Sequence, residues 1–278
     1  MRSIASFDGK NLKGLKSISE AEFEGLLEHV KNINIFVNNY QRISMVQKDK
    51  EALENFISDY LDDSQHISTA HFLNELPSFL LKYLASFKAF LDHWETYLNR
   101  LYGKDSDQFK RFKVATSAEF DEYFSYRFVY ELRNFTLHCK FPIAKVKTKM
   151  DENKNNLLSV IVNKERLMSD YNWPKKVRLG EMEAEFDLLP HLEEAFNCLI
   201  RIHEIAINLC DTRSLMDSSL KIYKFAVDYR GVVGDIVLAT IEESGLDESM
   251  DNLHIEYNRL PIIESKNILE MFVENSEE

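Results

Sequence analysis

The chain has 278 residues, 45% of them hydrophobic, with 8 Gly and 5 Pro to punctuate it and a formal net charge of -12. That is enough apolar material for one large core or two modest ones, and the scarcity of breakers favours long helices. The acidic balance argues against nucleic-acid binding by the surface at large, and no apolar run reaches membrane-spanning length. The N-terminal MRSIASFDGKNLKGLKSIS lacks the apolar stretch of a secretory signal, so a cytoplasmic protein is expected. Cys139, Cys198 and Cys210 form an odd set without short paired spacing, which predicts free, buried thiols rather than disulfides or a zinc knuckle.

In chain order, Ser19 and Glu22 have capping-box spacing, and Phe23, Leu26, Leu27, Val30, Ile33, Val37 and Tyr40 follow a helical period, predicting a helix over about 19–44. Leu53, Phe56, Ile57, Tyr60 and Leu61 predict a shorter helix ending at Asp62 and Asp63. A longer pattern from Leu73 to Leu101 stops at Gly103, and Pro77 predicts either a kink or a fresh start. Asp105 or Ser106 caps a short helix through about 115, and Thr116 with Glu119 then opens a central helix ending before Pro142.

Residues 143–150, IAKVKTKM, alternate apolar and basic, the polar run DENKNN follows, and LLSVIV at 157–162 returns, so a β-hairpin is expected at about 143–162. Asn163 caps a short helix through Tyr171. Asp187 caps a long one with Pro190 in its first turn. An apolar segment over 220–241, a short strand near 253–257 and a helix after Pro261 complete the chain. These elements predict an all-α, antiparallel helical bundle with one small inserted hairpin. Its expected parts are N-terminal helices over 1–65, a core over 66–215 and a C-terminal helical extension over 216–278.

The central helix, in YFSYRFVYELRNFTLHCKFP at 123–142, carries the candidate chemistry. Arg127, Glu131, Asn134 and His138 fall on one helical face, beside an apolar stripe of Phe128, Leu132, Phe135 and Cys139. Over 127–149 six cations (Arg127, Arg133, Lys140, Lys145, Lys147, Lys149) face one acid, Glu131, a local balance of +5 that leaves -17 on the remainder. An acidic body with one basic segment can bind an anion locally. Histidine exchanges a proton near neutral pH, which suits activating an RNA 2′-hydroxyl or protonating a leaving oxygen. The guanidinium of Arg133 matches phosphate oxygens, and Asn134, one turn from His138, can orient the imidazole or contact phosphate. Arg133 and His138 stand about 140° apart on an ideal helix, so a shared site needs a reaching side chain, an unwound last turn or a second copy.

Plainer readings apply to the same residues: cations at a helix C-terminus that favour its dipole, a lysine row that protects an edge strand, and aromatics that form core or dimer interface. Gly231 and Gly234, in RGVVG, read as helix packing rather than a phosphate loop, and His191 and His203 as surface or packing histidines.

Residues 133–138, Arg-Asn-Phe-Thr-Leu-His, resemble the signature of the HEPN superfamily, helical-bundle proteins many of which are metal-independent endoribonucleases. The similarity covers about residues 66–215. It implies Arg133, Asn134 and His138 as catalytic residues, and the basic segment then offers Arg127, Lys140, Lys145, Lys147 and Lys149 as RNA-binding candidates. It further implies no cofactor or metal, an RNA substrate, and a homodimer whose two motifs meet in a cleft. A bacterial toxin or phage-defence role, with an antitoxin or other regulatory partner, would follow. A non-catalytic HEPN-like dimerisation or partner-binding module is the alternative. HEPN toxins controlled by tyrosine modification carry a tyrosine two residues after the histidine, where this chain has Lys140.

Overall fold

The computed structural model describes residues 1–62, 65–150, 156–243 and 253–274. Asp63 and most of the polar run after the lysine-rich strand lie outside the described residues. The described residues are mostly helical, but two antiparallel sheets, of four and three strands, make the protein mixed α/β and overturn the expected all-α class. The chain divides into two units, residues 39–210 and residues 1–38 with 211–278.

In residues 39–210 the order is α2 (Arg42–Leu61), α3 (Thr69–Tyr102), α4 (Asp107–Glu122), α5 (Phe124–His138), β3 (Ile143–Met150), β4 (Asn156–Asn163), α6 (Lys164–Asp170), β5 (Glu185–Asp187) and α7 (Leu189–Asn208). Helix α3 is the axis of the core: Leu76, Leu80, Tyr83, Leu84, Phe87, Phe90, Trp94 and Leu98 recur at helical spacing and are buried. Each such side chain contributes about 1.5–3 kcal/mol by leaving water. Pro77 sits inside α3 without ending it. The carbonyl it deprives of a donor belongs to Leu73, a residue that is 43% exposed.

The expected capping box at Thr116 is absent, because α4 runs through it: Thr116 Oγ1 donates to Lys113 O (3.1 Å), and Glu119 instead receives a two-pronged ion pair from Arg201 of α7 (2.8 and 2.6 Å). The break falls at Tyr123, where α5 begins. The hairpin forms as expected and gains a third strand, in the order β3-β4-β5. Asp187 receives the Val160 and Leu189 amides (3.0 and 3.2 Å), tying this sheet to the start of α7.

His203 is a packing histidine, 7% exposed among the rings of Tyr40, Phe90 and Trp94, and its Nδ1 has no hydrogen-bond partner among the described residues. Burial pushes its pKa down to about 4. The unfolded chain protonates at about 6.5, so the fold keeps its full stability above that pH and loses about 3 kcal/mol as pH falls to 4. Urea unfolding of His203→Leu should show a shallower loss between pH 6.5 and 4 than the parent; parallel profiles would contradict this burial.

Residues 1–38 with 211–278 form the second unit. Strands β1 (Arg2–Phe7) and β2 (Leu12–Ser17) precede α1 (Glu20–Tyr40), and α8 (Thr212–Asp228), β6 (Asp235–Glu243), β7 (Leu253–Arg259) and α9 (Ile262–Glu274) close the chain. The sheet order is β2-β1-β6-β7, so the N-terminal strand pairs with one far along the chain, from Arg2 with Thr240 to Phe7 with Asp235. The box at Ser19 and Glu22 forms as its spacing predicts: Ser19 N donates to Glu22 Oε2 (2.9 Å) and Glu22 N to Ser19 Oγ (3.2 Å).

Gly234 packs against a strand end rather than within a helix. Its φ is +93°, and a Cβ there would stand 2.7 Å from the carbonyl carbon of Phe7. Gly234→Ala should therefore destabilise this unit by about 2 kcal/mol, read as a lower urea midpoint. An unchanged midpoint would refute the close approach.

Candidate functional site

Helix α5 stays regular to its last residue. The Cys139 amide donates to Phe135 O at 2.9 Å, an α-helical bond, so the last turn is not unwound and Arg133 and His138 remain on different sides of the axis. His138 is exposed, as are its apolar neighbours Leu137 (46%) and Phe141 (42%). No side-chain partner of His138 occurs among the described residues.

Arg133 and Asn134 are brought together. Arg133 Nη1 donates to Asn134 Oδ1 (3.3 Å), and Asn134 Nδ2 donates to Glu131 Oε2 (3.2 Å). The same carboxylate oxygen accepts from the Tyr171 hydroxyl (3.2 Å). Burial, reinforced by the Glu131 carboxylate, raises the Tyr171 pKa, so this phenol stays a donor. Arg133 Nε is buried without a hydrogen-bond partner among the described residues, leaving part of the guanidinium's donor capacity unused. Asn134 thus orients the arginine and not the imidazole. Tyr171 was not among the sequence candidates; it arrives from irregular chain after α6, and only its place in the aromatic YNW run marks it.

The basic candidates divide differently from expectation. Arg127 is 7% exposed, and its Nε donates to Val177 O (3.0 Å) while Nη1 reaches Phe120 O and Asp121 O (3.3 and 3.4 Å). Its guanidinium is a structural clamp, and the expectation that it faces RNA is corrected. Lys140 pairs with Asp170, and Lys145 (2.7 Å) and Lys147 (3.7 Å) share Glu185 across the three-stranded sheet. The positive balance read from residues 127–149 is largely met by carboxylates that fold against it. Lys149 is exposed, with no partner among the described residues.

A second polar group lies between α5 and α7, where Ser125 Oγ meets His191 Nδ1 at 2.8 Å and bonds Glu194. Ser125 has no solvent exposure, and His191 is ringed by Phe124, Phe128 and Phe186, with burial lowering its pKa. This is a helix-helix tie around a buried hydroxyl. Cys198 and Cys210 are buried as expected, whereas Cys139 is exposed at the end of α5. Among the described residues no three His, Cys, Asp or Glu side chains gather as a metal site, and no helix is long and apolar enough to cross a membrane.

Compared with protein-family models, with curated proteins and with solved structures, the chain matches none.

Proposed function

We propose that the chain is a HEPN-type endoribonuclease acting without a metal, in a bacterial toxin or phage-defence role. The observation that carries this reading is the end of α5: an exposed histidine without a side-chain partner among the described residues, five residues after an arginine held by Asn134. His138 moves the proton of the 2′-hydroxyl or of the leaving 5′-oxygen, and Arg133 stabilises charge on the phosphorus-bound oxygens as the 2′-oxygen attacks. Asn134 fixes the arginine fork, and Glu131 with Tyr171 fixes Asn134.

One imidazole cannot serve as base and acid in the same step, and the straight helix keeps Arg133 off the His138 side. A second copy of the chain, docking over exposed Leu137 and Phe141, supplies the other pair. The direct test is incubation of the purified protein with total RNA in excess chelator, beside His138→Ala. Cleavage by the parent alone supports the reading, and equal cleavage by both removes it.

The alternative, a non-catalytic HEPN-like module for dimerisation or partner binding, draws support from one observation: Arg127, Lys140, Lys145 and Lys147 are occupied by the protein's own carbonyls and carboxylates. A stable dimer that neither binds nor cuts RNA would favour it.

A further inference from the structure

Three further cations without carboxylate partners among the described residues lie on a segment that runs along α5. Tyr171 bonds Glu131 and packs edge-on against Phe135, and Trp173 stacks on both Phe135 and Phe128. Val177 O then receives the Arg127 guanidinium. Residues 171–177 therefore descend α5 from the level of Phe135 to that of Arg127, about 12 Å at 1.5 Å per residue.

The ten residues YNWPKKVRLG, 171–180, hold three cations and no acid. Val177 and Leu179 are buried as pegs, while Lys175, Lys176 and Arg178 are exposed. None of these three has an ion pair or side-chain hydrogen bond among the described residues. Arg178 is held in the left-handed conformation, φ 58° and ψ 32°, unusual for a side chain that is not glycine. The left-handed backbone of Arg178 is strained, and the turn that carries it and the two exposed lysines is held in place by the buried Arg127 guanidinium.

We propose that the turn at 174–178 is a phosphate track for single-stranded RNA. Lys175, Lys176 and Arg178 hold backbone phosphates on one side of the cleaved bond, while Arg133 holds the reacting one. The Tyr171–Glu131–Asn134–Arg133 hydrogen-bond chain joins track to site. This rests on the endoribonuclease reading and names what determines its substrate: length of single strand rather than base identity, since cations on phosphates carry no sequence information.

The test uses the full chain with Lys175→Gln, Lys176→Gln and Arg178→Gly, substitutions that remove charge and suit the left-handed backbone. On a single-stranded RNA of about 20 nucleotides the triple variant should raise KM roughly tenfold or more with little change in kcat, and a ribodinucleotide, too short to reach the turn, should be affected far less. In a His138→Ala background, binding of the longer RNA should lose about 2 from its log-log salt slope, three phosphates at about 0.7 each.

An unchanged KM and slope in a chain that cuts RNA overturns the track alone. Equal losses on both substrates also overturn it. A parent that binds phosphatidylserine vesicles but neither binds nor cuts RNA overturns the track together with the ribonuclease reading.

Discussion

His138→Ala should lower the single-turnover rate of RNA cleavage about 10²–10⁴-fold, the span expected when a positioned proton carrier is removed. Because His138 is exposed and without a side-chain partner among the described residues, the same change should move stability by no more than about 0.5 kcal/mol. The two readouts together separate loss of chemistry from loss of fold. Arg133→Ala should cost about 10²–10³-fold, and Arg133→Lys should restore little of it, since an ammonium keeps the charge but cannot engage phosphate oxygens and Asn134 as a planar fork. Full recovery with lysine would show that Arg133 acts only as a charge. A rate loss in His138→Ala that tracks a lower urea midpoint would assign His138 to structure.

Arg127→Ala should have the largest effect on stability, a loss of about 3 kcal/mol measured by urea unfolding. The truncation leaves three carbonyls, of Phe120, Asp121 and Val177, without their guanidinium donor, and it frees the turn they hold. Burial and the nearby Arg178 charge both depress the Arg127 pKa, as expected for a guanidinium enclosed by protein rather than aimed at solvent. Because the freed turn carries Lys175, Lys176 and Arg178, a fall in the salt slope of RNA binding should appear only together with the loss of stability. Normal stability combined with a reduced slope would return Arg127 to the RNA-binding set.

Much of the architecture was legible where a local signal and its structural consequence share a few residues. The capping box at Ser19 and Glu22, the Asn163 cap, whose side chain accepts from Arg166 N, and the alternation of IAKVKTKM against LLSVIV all act within one turn or one hairpin. The sheet joining the chain ends was not legible in the same way. Its inner cluster is built from small residues, Ala5, Val237 and Ala239, with Phe7 and Leu12 packed against it, and β1 finds its β6 partner across most of the sequence. One cue did exist: Asp8-Gly9 between two short runs is a hairpin signal, and Asp8 indeed caps the turn, accepting from Lys10 N (2.9 Å) and Asn11 N (2.7 Å).

The candidate site shows the same division. The spacing of Arg133, Asn134 and His138 and their place at the end of an aromatic helix follow from the sequence alone. What surrounds them does not. The polar stripe assigned Arg127 to an open face, and a turn contributed from 50 residues onward covers it. The lysine row looked like free positive charge until Glu185 and Asp170 folded against it. Pairing of charges distant in sequence is a tertiary property, and helical periodicity carries no information about it.

The central claim is that the end of α5 cleaves RNA by attack of the 2′-hydroxyl on its own phosphate. Its most direct test is end-group analysis of the RNA fragments released in excess chelator. The parent protein should release fragments with 2′,3′-cyclic phosphate and 5′-hydroxyl ends, and His138→Ala should release none. Fragments with 3′-hydroxyl and 5′-phosphate ends, or cleavage that persists in His138→Ala, would contradict it.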